Sequence, residues 1–85
     1  MIKINNGSKY EIEKIGNNEF LIEFYVNELR CVMSFFYDAV NNNIYKKHLE
    51  NIDSLTEEEI DLAHEYFYNK LEKELRKVCA LMIEL

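Results

Sequence analysis

The chain has 85 residues, ten basic against sixteen acidic, a net charge of −6 and a pI near 4.9. That length holds one domain over 1–85, and it buries only about 60 to 65% of its unfolded surface, so the core is small. The acidic balance argues against direct nucleic-acid or anionic-membrane binding, both of which need a basic footprint; it leaves room for a basic protein partner and is also ordinary for solubility.

In "MIKIN", Ile2 and Ile4 alternate with Lys3, and Asn6-Gly7 follows as a strong hairpin signal. Tyr10 and Ile12 then oppose Glu11 and Glu13 across a second strand. Gly16-Asn17-Asn18 supplies the next turn, because both residue types accept positive φ at low cost. In "EFLIEFYV", Phe20, Ile22, Phe24 and Val26 share one face, with Leu21, Glu23 and Tyr25 on the other. That is a half-buried antiparallel strand with an aromatic inner face.

Residues 28–40 fit two periodicities. As a strand, after a turn at Asn27-Glu28, Cys31, Met33, Phe35 and Tyr37 alternate against Val32, Ser34 and Phe36. As a helix, Leu29, Val32, Met33, Phe36 and Val40 recur at three- and four-residue spacing. Meander order and the density of aromatics favour the strand. Residues 41–43 read as a turn, and "IYKKHLENI" as an edge strand guarded by its lysines or an irregular connection.

The last segment is helical. Thr56 is a good N-cap, Glu59 at N3 completes a capping box, and Leu55 can staple against Ile60. Ile60, Ala63, Phe67, Leu71, Leu75, Val78 and Met82 trace one apolar stripe. Acids fill the first turns and Lys70, Lys73, Arg76 and Lys77 the later part, which complements the helix dipole. A helix over 57–83 would be about 40 Å long, longer than a small sheet is wide, so its end is expected to project. The fold class is therefore α+β: an antiparallel β-meander of three to five strands within 1–52, packed against one long C-terminal helix over 56–83. The Phe20, Ile22, Phe24 face meets the Ile60, Phe67, Leu71 stripe to form the core.

Seven acids and no Lys or Arg lie between Glu50 and Glu65. Glu57 and Glu58 suit the helix dipole and Glu59 the capping box, but Asp61 and Glu65 have no such role. The row Glu57, Asp61, Glu65 opposes the helix by about 0.2 to 0.5 kcal/mol per like-charged pair, a cost that a merely solvated face tolerates. Leu62 and Tyr66 lie roughly opposite the core stripe, and Tyr68 and Cys79 flank it. Glu57, Asp61, Leu62, Glu65, Tyr66 and Tyr68 are thus the candidate partner-binding residues, although Leu62 and Tyr66 would equally be explained by a covering strand.

Other chemistry finds little support. His48 and His64 show no ligand spacing, and His64 is placed to pair with Asp61, so neither a metal nor another cofactor is expected. Cys31 and Cys79 form no CxxC pair and read as small apolar core residues with reduced thiols. No Gly-rich phosphate loop, GxSxG or HExxH occurs, so catalysis is not expected. No apolar h-region follows the N-terminus, and "VCALMI" is too short to span a bilayer, so a cytoplasmic location and no membrane contact are expected. Heavy use of Asn, Ile and Lys, with two Gly, two Arg and no Pro, matches AT-rich codons, as in low-GC bacteria and their phages and mobile elements.

The leading expectation is a non-catalytic protein-binding module. By analogy of size and charge alone, it would be a phage or mobile-element inhibitor of the anti-CRISPR or anti-restriction type, blocking a basic host nucleic-acid-binding protein by imitating DNA charge. One alternative is a structural homo-oligomer with Leu62 and Tyr66 in a homodimer seam. Another is a protein that sequesters a small ligand such as a signal nucleotide in an aromatic pocket between subunits; few exposed basic residues count against that one.

Overall fold

A computed structural model of the chain describes residues 2–6 and 9–84, with side chains from residue 9 onward. The order is β1 (Ile2–Asn6), β2 (Tyr10–Lys14), β3 (Glu19–Val26), β4 (Leu29–Asp38), β5 (Asn43–Leu49), a short 3-10 turn (Ile52–Ser54), and then helix from Glu57 to the C-terminal end. The five strands form one antiparallel meander in chain order, with β1 and β5 at its edges. The ambiguous segment 28–40 is therefore strand, and "IYKKHLENI" opens with an edge strand. The Asn6-Gly7 turn lies outside the described residues at Gly7.

Period-two alternation decides which face is covered. Tyr10, Ile12, Phe20, Ile22, Phe24, Cys31, Met33, Phe35 and Tyr37 point to one side and are buried. In β5 a register shift brings Ile44 and Leu49, five residues apart, into the same core. The opposite face carries Glu11, Glu13, Leu21, Glu23, Val32 and Phe36, all half-buried, and faces solvent. Phe35 stacks on Phe20 and tilts against Phe67 of the helix, so the core is built largely from rings.

The turns use the short polar residues between the strands. Asn27 takes φ 58° in the β3–β4 turn and Asn42 φ 52° before β5. Both are Asn, which tolerates the left-handed region better than most residues. Gly16-Asn17-Asn18 turns differently: neither Asn has positive φ, and the Ile15 and Gly16 amides both donate to the Glu19 carbonyl. At the β4–β5 turn, Asp38 accepts from the Asn41 side chain and from the amides of Val40 and Asn41. The Asn41 side-chain bond and then the backbone bonds hold the Asp38 carboxyl below the usual carboxylate range.

The helix begins as expected. The Thr56 hydroxyl accepts from the Glu59 amide and the Glu59 carboxylate from the Thr56 amide, a complete capping box. Leu55 and Ile60 both pack half-buried against the core. α1 (Glu57–Tyr66) passes without a break through a π turn (Phe67–Leu71) into α2 (Glu72–Ile83). In the π turn the Glu72 amide donates to the Phe67 carbonyl, five residues back.

That extra residue alters which positions after it are buried, although Leu75 and Met82 stay in the core as expected. The buried positions of α2 are Glu72, Leu75, Cys79 and Met82, whereas Val78, assigned to the stripe by an uninterrupted 3.6 period, is only half-buried. Cys79 thus belongs to the core and not to its flank. The helix end does not project as far as expected: Met82 is fully buried one residue before the helix ends, and the molecule is 36 Å in its longest dimension.

Candidate functional site

The capping box and first-turn acids start α1, and the burial of Ala63 and Phe67 fixes its rotation. This orientation leaves Glu57, Glu58, Asp61, Leu62 and Glu65 exposed on the outward crest. Among the described residues, none of the four acids on this crest has a Lys, Arg or His partner within ion-pair distance. His64 is exposed and forms no ion pair with Asp61. Leu62 stands 49% exposed between the acids, so the crest offers an apolar contact inside a negative field.

Beside the crest lies a shallow groove of about 140 Å³, lined by Val26, Leu62, Glu65, Tyr66, Asn69 and Lys70. The end of β3 forms one wall and the helix the other. Tyr66 makes its floor: the ring is half-buried and stacks on Phe24 instead of pointing outward. A long aromatic side chain on a helix leans towards the N-terminus and can reach down from the flank, which spacing alone understates. Tyr68 lies on the other flank. It is 68% exposed, with the Lys47 ammonium of β5 5.9 Å from its ring centre. The six candidate residues therefore divide into two groups, with Glu57, Asp61, Leu62, Glu65 and Tyr66 on the crest and groove and Tyr68 apart.

No protein-family model, curated protein or solved structure matches the chain.

Two features escaped the sequence reading. Glu72 is the one charged residue buried among those described. Its carboxylate takes Lys47 Nζ at 3.4 Å and Arg76 Nη1 at 3.9 Å. The Glu72/Arg76 spacing of four was a visible signal, but Lys47 comes from another element and the π turn was not foreseen. The second feature is a depression of about 190 Å³ on the open sheet face, where Glu11, Glu13 and Glu23 surround Leu21 and Val32. Glu11 sits directly across from Glu23, and Arg30 pairs with Glu23. Alternation had already placed these acids on one face, so the signal was present.

The thiols have no reactive setting. Burial pushes Cys79 up to about 12, and burial followed by the nearby Glu59 charge raises Cys31. Among the described residues no group of three His, Cys, Asp or Glu is placed to hold a metal ion, and no helix is long and apolar enough to cross a membrane.

Proposed function

We propose that the protein is a non-catalytic binding module whose α1 crest docks on a basic protein surface. The observation that carries this reading is the run of exposed acids, Glu57, Glu58, Asp61 and Glu65, without cationic partners among the described residues and around a half-exposed Leu62. Along this helix the first lysine or arginine is Lys70, within the π turn, and Lys73, Arg76 and Lys77 follow it. Such a field steers and selects a positive partner, and Leu62 with the Tyr66 groove supplies the apolar contact that gives a complex its lifetime.

A basic surface that accepts a row of carboxylates is typically one that accepts phosphates. The protein is accordingly an inhibitor that occupies the nucleic-acid groove of a cytoplasmic host protein, as a phage or mobile element would encode. A homodimer through Leu62 and Tyr66 is the weaker reading. A two-fold seam there would set Asp61 and Glu65 against the same acids of the other copy, and much of Tyr66 is already used inside the fold.

The test is competition. Once a basic partner is captured, the protein should displace duplex DNA from it. Leu62→Glu should shorten the lifetime of the complex while leaving the helix intact. A partner that binds protein and DNA together would overturn the inhibitory reading.

A further inference from the structure

The flank that carries Tyr68 has a chemistry opposite to that of the crest. A shallow, open cleft of about 290 Å³ runs along the helix surface beside Tyr68, Asn69, Glu72, Lys73 and Arg76, and Lys47 reaches from β5 to the Glu72 carboxylate. Three of the ten cations in the chain gather here: Lys47 and Arg76 on the Glu72 carboxylate, and Lys73 beside them in the lining.

Two backbone irregularities frame the cleft. On the helix side is the π turn Phe67–Leu71, which carries Tyr68 and precedes Glu72. On the sheet side, the β4–β5 register shifts between Ser34 and Phe36, and Lys46 takes φ 52°. A left-handed lysine is unfavourable, and such bulges and π turns concentrate where a side chain must be re-aimed for a task. These two lie next to Lys47 and Tyr68, the residues they aim at one another.

We propose that this cleft binds a nucleoside monophosphate. Arg76, Lys73 and Lys47 face the phosphate, for which guanidinium and ammonium groups are the usual donors. Tyr68 is largely exposed, and the face of its ring away from Lys47 provides the stacking surface for the base. Glu72, with a side chain only 8% exposed, holds Lys47 and Arg76 in place, so the cations are ordered before the ligand arrives. The size of the cleft suits a small ligand, and its charge makes it the positive spot on a negative protein.

The experiment is a titration of the full chain with AMP, inorganic phosphate and adenosine, followed by backbone amide NMR shifts. AMP should give saturable shifts at residues 68–73, at 76 and at Lys47, at concentrations about tenfold below those needed for phosphate or adenosine alone. Tyr68→Ala, at an exposed position, and Arg76→Gln should each weaken AMP by about fivefold or more with the fold unchanged. The Glu57→Lys, Asp61→Lys, Glu65→Lys variant should leave AMP binding in place, which separates this site from the crest. Absence of saturable shifts up to about 10 mM AMP would overturn the proposal. So would inorganic phosphate acting as well as AMP, or Tyr68→Ala binding AMP as the wild type does.

Discussion

The ring of Tyr66 lies nearly parallel to that of Phe24, with centroids 5.9 Å apart and planes inclined by 11°. The contact ties the end of α1 to β3 at the edge of the aromatic core, and it makes Tyr66 a structural residue as well as the groove floor. Tyr66→Ala is expected to lower the free energy of unfolding by about 1 to 3 kcal/mol, and Tyr66→Phe by less than about 0.5. Leu62→Ala, at a half-exposed site, should cost less than about 1 kcal/mol. Urea denaturation of the three variants checks the order.

The buried Glu72 carboxylate depends on two cations whose side chains are each about one-third exposed. Lys47→Met leaves Glu72 with Arg76 alone, and solvent access to the site limits the loss to about 1 to 2 kcal/mol. Removing both charges in Lys47→Met, Glu72→Met should restore stability above that of the single variant, because no buried charge is then left under-paired. A double variant weaker than Lys47→Met would show that the ion pair contributes more than the packing that replaces it.

Cys79 gives the stability a slope in alkaline solution. Its thiol is held neutral in the folded protein up to about pH 12, against an ordinary value of 9.0. Between those values the unfolded chain loses the proton and the folded one keeps it, so stability is complete below about pH 9 and falls as pH rises. Cys31 and Tyr37 are raised in the same direction by burial. Cys79→Val should flatten the fall between about pH 9 and 11 relative to wild type. Thiol reagents at pH 8 should label the native protein only as fast as it opens.

Lys46 is left-handed in an edge strand. A β-branched side chain is poorly suited to that conformation, so Lys46→Val should destabilise by more than about 1 kcal/mol. Lys46→Gly should be neutral or stabilising by about 0.5 kcal/mol, the relief of φ being partly offset by a more flexible unfolded chain. Thermal melts should therefore place Lys46→Val below the wild type and Lys46→Gly at or slightly above it.

The first three strands were legible from their alternation, and Thr56 with Glu59 announced the helix. β4 alternates too but beside a competing helical period, and β5 breaks the alternation at its register shift. The π turn was not legible: "FYNKL" contains no Gly or Pro, and nothing in its local composition marks an extra residue per turn. Its effect is local: Cys79 replaces Val78 in the core and Glu72 comes inside, while Leu71, Leu75 and Met82 stay buried as the stripe expects. The acids of the crest could be read as exposed from their spacing. The separation of Tyr66 from Tyr68 could not, since it depends on how far one ring leans towards Phe24 and on Lys47 arriving from β5. Counting cations made the chain look poor in them; only the fold shows that three share one cleft.

The central claim is that the acids of α1 face a positive protein. Its most direct test immobilises the wild type and the Glu57→Lys, Asp61→Lys, Glu65→Lys variant, and identifies what each retains from a low-GC bacterial lysate. The account predicts that the wild type retains a basic nucleic-acid-binding protein at about 0.05 M salt, releases it by about 0.3 M, and that the variant does not retain it. Retention of the same protein by the variant, or by the wild type unchanged across that salt range, would contradict it.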